Sequence, residues 1–81
     1  MNQQDAMAIM AALEDGHTFE FANYYDGVRE VLEFDPSADQ FTLTAHHAYS
    51  GDQEQETFTR ETFDEWLRKT FRSRHDFKWP R

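Results

Sequence analysis

At 81 residues the chain has room for one domain and no second hydrophobic core. It contains no cysteine, which excludes disulfides, thiolate nucleophiles and thiolate metal ligands and favours a reducing cytoplasm. A formal net charge of −8 disfavours adhesion to nucleic acid or anionic membranes, and no apolar stretch approaches the ~18 residues of a membrane-spanning helix.

The first predicted element is a helix over residues 3–14. Its apolar residues recur at helical spacing, which gives one thin apolar stripe. Asn2 or Asp5 can cap its N-terminus, and Gly16 stands where a left-handed residue commonly ends a helix. So short a helix needs docking onto the rest of the fold for its stability.

Alternating apolar and polar residues then predict a series of strands joined by tight turns. Residues 17–23 and 28–34 are joined at Asp26-Gly27, a strong hairpin signal. Residues 40–49 form the clearest strand, with His47 and Tyr49 on its inward face. Residues 53–59 form an edge strand or an extended run into the last helix. We expect Phe19, Phe21, Leu32, Phe34, Phe41 and Leu43 to be buried, and Thr18, Glu20, Arg29, Glu33, Thr42 and Thr44 to face solvent or a partner.

The last helix has the strongest signals in the chain. Thr59 is the predicted N-cap, and Phe58 and Phe63 form a hydrophobic staple around it. Phe63 and Trp66 are expected to be core anchors on its apolar stripe. Residues 73–81 follow as a tail.

This order of elements predicts one small α+β domain over residues 1–81. Its sheet is an antiparallel three- to four-stranded meander, and the N- and C-terminal helices pack on one face of that sheet.

No residue pattern indicates catalysis, a metal site or a cofactor. His46 and His47 are adjacent on a strand, so their side chains point to opposite faces and cannot share one ion. His47 is expected to be partly buried and hydrogen-bonded. Ser50 and Asp52 lie at the same hairpin as His47, which is too small to form a cleft. We therefore predict that the protein is not an enzyme.

The charges are sorted along the chain. Residues 1–59 contain twelve acidic residues and one basic residue, and residues 60–81 contain seven basic and four acidic residues. Acidity of this kind can serve solubility, or it can imitate a row of phosphates and occupy a basic groove on a partner. Tyr24 and Tyr25 beside Asp26 are typical of interface anchors. The residues predicted to contact a partner are Tyr24, Tyr25, Asp26, Glu30, Glu33, Glu54 and Glu56.

The alternative hypothesis concerns the C-terminal tail. Over residues 68–81 basic residues are interleaved with Phe71, Phe77 and Trp79, and such a pattern grips single-stranded nucleic acid by base stacking and phosphate contacts. The acidic residues of segment 1–59 would repel nucleic acid that extends beyond the tail.

In its size, acidity and lack of cysteine, the chain resembles small inhibitor proteins such as phage-encoded anti-CRISPR proteins, DNA mimics and toxin-immunity proteins. This is a likeness of the whole chain without diagnostic residues, so it assigns no role to any position. It implies a non-enzymatic protein that masks a basic, nucleic-acid-binding surface of a partner protein, in the cytoplasm and away from membranes.

Overall fold

The structure is a computed structural model that describes residues 1–23, 25–73, 75 and 77. The elements are helix α1 (Gln3–Glu14), strands β1 (Phe19–Asn23), β2 (Val28–Asp35), β3 (Gln40–His47) and β4 (Gln53–Phe58), and helix α2 (Arg60–Thr70). The strands form one antiparallel sheet in the order β1-β2-β3-β4, and both helices share a hydrophobic core with one face of it. The predicted α+β meander is confirmed, with four strands.

Helix α1 begins and ends where its capping residues predict. The Asn2 side-chain oxygen accepts a hydrogen bond of 2.8 Å from the backbone N–H of Asp5. Gly16 adopts a φ of +98°, the left-handed conformation that glycine tolerates best. The apolar stripe of the helix is buried, and it consists of Ala6, Ile9, Met10 and Leu13.

The register of the sheet aligns the apolar residues of neighbouring strands on the helix-covered face. Leu32 lies between Phe19 and Leu43, and Phe41 lies between Phe34 and Phe58. These cross-strand rows form the floor of the core. Of the six residues expected to be buried, Phe19, Leu32 and Phe41 are buried, whereas Phe21, Phe34 and Leu43 are partly buried.

The opposite face of the sheet contains a departure from prediction. Thr42 and Thr44 were expected to face solvent or a partner, but they are only 8% and 7% exposed. Both lie on β3, an interior strand, and each has one longer neighbour, Glu33 on β2 beside Thr42 and Gln55 on β4 beside Thr44. The side-chain amide of Gln55 donates a hydrogen bond of 3.3 Å to the Thr44 hydroxyl and helps to cover it. Short side chains on a central strand are therefore buried even on a face that carries no helix.

Two strand ends differ from prediction by two residues, and two others differ by one residue. The first strand begins at Phe19 instead of residue 17, and the third ends at His47 instead of residue 49. Tyr49 therefore lies in the β3–β4 turn with 82% of its surface exposed, not on the inward face of a strand. The backbone N–H of His47 donates to the Asp52 carbonyl at 2.9 Å, which closes the turn before Tyr49 can join the strand.

Helix α2 is held by its cap and by aromatic packing. The Thr59 hydroxyl accepts from the backbone N–H of Thr62, and the Thr62 hydroxyl accepts in return from the backbone N–H of Thr59. Phe63 is fully buried and stacks on Phe41 with ring centres 4.5 Å apart. Trp66 was expected to be an equal anchor, but it is only partly buried and lies at the edge of the core.

An ion pair joins the C-terminal end of α1 to the N-terminal end of α2. Glu14, the last residue of α1, accepts a hydrogen bond from Arg60, the first residue of α2. Each charge lies at the helix end that disfavours it, so the pair offsets two unfavourable helix-dipole interactions. The hydrogen bond from Arg60 lowers the pKa of Glu14. The Arg60 guanidinium also lies 5.7 Å from the centre of the Phe41 ring.

Candidate protein-binding surface

The predicted aromatic anchors lie at the β1–β2 turn. Tyr25 is 97% exposed, and Asp26 beside it is also exposed. Tyr24 lies outside the described residues. Gly27 completes the turn with a φ of +65°, in agreement with the hairpin signal read from Asp26-Gly27. The exposed Tyr25 ring gives this turn a large contact surface.

The four predicted glutamates do not share one face of the sheet. Glu30 and Glu54 both lie opposite Ala45, one on each side of β3, and Glu56 lies opposite Leu43 on the same face. Glu33 lies opposite Thr42 on the other face. The structure therefore brings three of the four glutamates together and separates the fourth from them.

The helices leave these three glutamates accessible. The aromatic residues of α2 pack over Phe41 and Phe58, whereas Glu54 and Glu56 are exposed and Glu30 is half-buried. Leu43 and Ala45 lie between them and are themselves half-buried. We call this patch the glutamate surface; it comprises Glu30, Leu43, Ala45, Glu54 and Glu56.

Sequence reasoning missed the apolar part of the glutamate surface. Leu43 was assigned to the core, but its half-buried side chain lies beside Glu56 and leaves apolar area accessible. The signal for an open patch was present in β4, where Glu54 and Glu56 share the face of the buried Phe58. Glutamates at inward-facing positions indicate that the core ends at Phe58.

The glutamate surface keeps its negative charge, because the lysine and arginine side chains that form the described ion pairs do so with other acidic residues. Within the described residues, no basic side chain pairs with Glu30, Glu33 or Glu56, and Glu54 faces only His47, with 3.7 Å between Oε2 and Nε2. The basic side chains that do form ion pairs have acidic partners elsewhere. Among the described residues, these pairs include Arg29–Glu20 (3.1 Å), Arg68–Asp64 (3.7 Å), Lys69–Glu65 (2.7 Å), His17–Asp15 (3.8 Å) and Arg60–Glu14.

His47 differs in one respect from what was expected. It is partly buried as predicted, but its Nε2 atom is buried without a hydrogen-bond partner among the described residues. The 3.7 Å separation from Glu54 is too long for a hydrogen bond. An open groove of about 690 Å³ between the two hairpin turns is lined in part by His47, Tyr49 and Asp52.

The start of the tail packs onto the body. Phe77 is only 4% exposed, and its ring centre lies 5.1 Å from that of Phe19 and 4.4 Å from that of Phe71. A buried ring cannot stack on a nucleic-acid base, so the tail hypothesis loses Phe77. Phe71 is half-buried against Phe77, and Trp79 lies outside the described residues.

No group of three or more metal-ligating side chains occurs in the part of the chain that the structure describes. None of the helices described here is both long enough and apolar enough to cross a bilayer. No family model, no curated protein and no solved structure matches the chain.

Proposed function

We propose that this protein is a non-enzymatic binding module that uses the glutamate surface to mask a basic surface of a partner protein. A nucleic-acid-binding protein is the class of partner that offers such a surface. The observation that supports the proposal is the placement of Glu30, Glu54 and Glu56 on one face, around Leu43 and Ala45, without a lysine or arginine partner among the described residues.

The two kinds of residue on the glutamate surface contribute differently to binding. The carboxylates attract a basic partner and accelerate encounter, because complementary charge steers association. Leu43 is half-buried, so it offers apolar area that a partner can cover, and Trp66, which packs on Phe58, is half-buried as well. Aromatic anchors in an interface mainly slow dissociation, and the exposed Tyr25 is a second candidate for this role.

The lack of cysteine is consistent with action in a reducing compartment, and we place the protein in the cytoplasm on that basis. The chain resembles small acidic inhibitors in overall charge, and the glutamate surface is the part of the molecule that would act as theirs does. The competing interpretation is that the acidity serves solubility alone.

The experiment begins with affinity capture from the native host, or from that host after phage infection, followed by mass spectrometry. The association rate of the captured protein is then measured from low to high salt. We expect a steep fall in that rate, because the screening length shortens to ~8 Å near 0.15 M and ~3 Å at 1 M salt. An affinity that does not change with salt would rule out charge mimicry.

Two matched variants test the surface itself. Glu56→Lys and Glu33→Lys change the net charge equally and lie on exposed strand positions, but on opposite faces of the sheet. We expect Glu56→Lys to slow association by about tenfold and Glu33→Lys to change it by less than about threefold. Equal effects would show that overall charge, not the glutamate surface, governs binding. Retention of the protein on single-stranded DNA would instead support the tail hypothesis.

A further inference from the structure

Strand β4 is an edge of the sheet that remains open to another strand. Among the described strands it pairs only with β3, and five of its six residues, all but Phe58, are exposed. It contains no proline and no residue with positive φ, and the charged side chains that protect this edge, Glu54 and Glu56, are both acidic.

The hydrogen-bond pattern shows which backbone groups of β4 face outward. His47 donates to the Asp52 carbonyl, which makes these two residues a hydrogen-bonded pair. Such pairs alternate along an antiparallel ladder, so the backbone groups of Glu54 and Glu56 also point toward β3. The backbone groups of the residues between them point away from the sheet. These residues are Gln53, Gln55 and Thr57.

The side chains of β4 select what can pair with this edge. Glu54 and Glu56 lie on the glutamate surface, and the opposite face of the strand carries only uncharged polar side chains. A second copy of this chain would place its own glutamates close to these two, and like charges in neighbouring strands repel. A basic strand would place opposite charge there.

We propose that an extended, basic segment of the partner protein adds to β4 as a fifth, antiparallel strand. The backbone of this segment forms hydrogen bonds with the outward backbone groups of Gln53, Gln55 and Thr57. Every second side chain of the segment is Lys or Arg, and these side chains lie opposite Glu54 and Glu56. Strand addition of this kind gains affinity from main-chain hydrogen bonds and specificity from alternate side chains. The inference deepens the proposed function and rests on it, since it specifies how the basic partner is held.

The probe is an acetylated peptide of about seven residues in which arginine and threonine alternate, a length that matches a typical strand. Opposite residues of an antiparallel pair project to the same face, so the arginines lie over the glutamates and the threonines lie opposite Gln55. The threonine N–H groups then face β4, and the arginine N–H groups face away. Two further peptides have the same charge. One is methylated on the backbone nitrogens of its threonines, and the other on the backbone nitrogens of its arginines.

We expect the threonine-methylated peptide to bind at least about tenfold more weakly than the unmethylated one in fluorescence anisotropy, because each lost hydrogen bond weakens binding several-fold. The arginine-methylated peptide should bind within about threefold of the unmethylated one. Equal affinity of the two methylated peptides, or a loss confined to the arginine-methylated one, would overturn antiparallel addition. No measurable binding of the unmethylated peptide would overturn it as well.

Protein variants test the same edge from the other side. Gln55→Pro removes an outward N–H and keeps the ladder to β3, and Gln55→Ala is its matched control because both variants lose the hydrogen bond to Thr44. We expect Gln55→Pro to lose peptide binding about tenfold relative to Gln55→Ala. Circular dichroism tests whether both variants are folded. If Gln55→Pro is unfolded, the methylated peptides still test strand addition, because they leave the protein unaltered.

Two outcomes separate this inference from the proposed function. Binding that depends on salt and on Glu54 and Glu56, but is indifferent to N-methylation and to Gln55→Pro, would overturn strand addition and leave the masking function intact. A concentration-dependent dimer that Gln55→Pro abolishes would assign the edge to a second copy of the chain. Sedimentation of the protein without peptide measures that dimer directly.

Discussion

The most informative test of the core compares Phe63→Ala with Trp66→Ala. Phe63 is fully buried and contacts three aromatic rings, with centre separations of 4.5 Å to Phe41, 5.4 Å to Phe58 and 5.7 Å to Trp66. Truncating a buried phenylalanine to alanine costs about 3–5 kcal/mol, since it removes apolar burial and leaves a cavity. Trp66 keeps part of its surface in water, so its truncation should cost about 2 kcal/mol.

These magnitudes are large for a chain of this size. Stability of about 0.05–0.15 kcal/mol per residue gives a total of roughly 4–12 kcal/mol for 81 residues. Phe63→Ala should therefore lower the Tm by at least about 12 °C and can abolish folding, whereas Trp66→Ala should leave a folded protein. Phe63→Leu keeps most of the apolar volume and should cost only about 1–2 kcal/mol.

The measurement is urea-induced unfolding followed by far-UV circular dichroism, which does not depend on a tryptophan signal. The slope of the free energy of unfolding against urea concentration should be the same for all variants, which would show that each exposes the same surface on unfolding. A larger loss of stability in Trp66→Ala than in Phe63→Ala would refute this assignment of the core.

The remaining predictions concern one ion pair and one turn. Glu14→Gln should lower the free energy of unfolding at pH 7 by less than about 1 kcal/mol. Because Arg60 lowers the pKa of folded Glu14, this stabilisation is present above the ordinary value of 4.5 and disappears as pH falls through the lowered pKa, so urea unfolding of the two proteins should converge in acid. Gly27→Ala and Gly16→Ala should each cost about 1–2 kcal/mol, because both glycines have positive φ. Thermal unfolding should show similar costs at the two positions, because the Tyr49 ring that a Cβ at Gly27 would meet at 2.5 Å belongs to an exposed side chain that can move aside.

Local signals in the sequence were sufficient for the elements and their order. Asn2, Gly16 and Thr59 mark helix ends through their own side chains or backbone freedom, so no knowledge of distant contacts was needed to place them. Strand alternation likewise predicted the inward face of the sheet. The strand ends were less accurate, because hydrogen bonds across the β3–β4 turn determine where β3 stops.

Alternation along a strand shows which residues share a face, but it does not show which residues of other elements lie beside them. Thr42 is buried because β3 is an interior strand, with Glu33 on one side of Thr42 and Thr57 on the other, and this is a property of its neighbours. Glu33 was grouped with Glu30, Glu54 and Glu56 because all are acidic. Alternation along β2 already separates Glu33 from Glu30, and the register is what brings Glu30 together with Glu54 and Glu56. The docking of Phe77 depends on aromatic residues far away in the chain.

The order of the strands has a consequence for how the chain folds. Each strand pairs with the next one along the chain through a short turn, so the sheet can be assembled from contacts of low sequence separation. The pairing of α1 with α2 is different, because it joins segments near opposite ends of the described chain. Closing so long a loop costs more chain entropy than closing a hairpin. We therefore expect the hairpins to form early and the docking of α1 to be the late step of folding, so that substitutions in α1 accelerate unfolding more than they slow refolding.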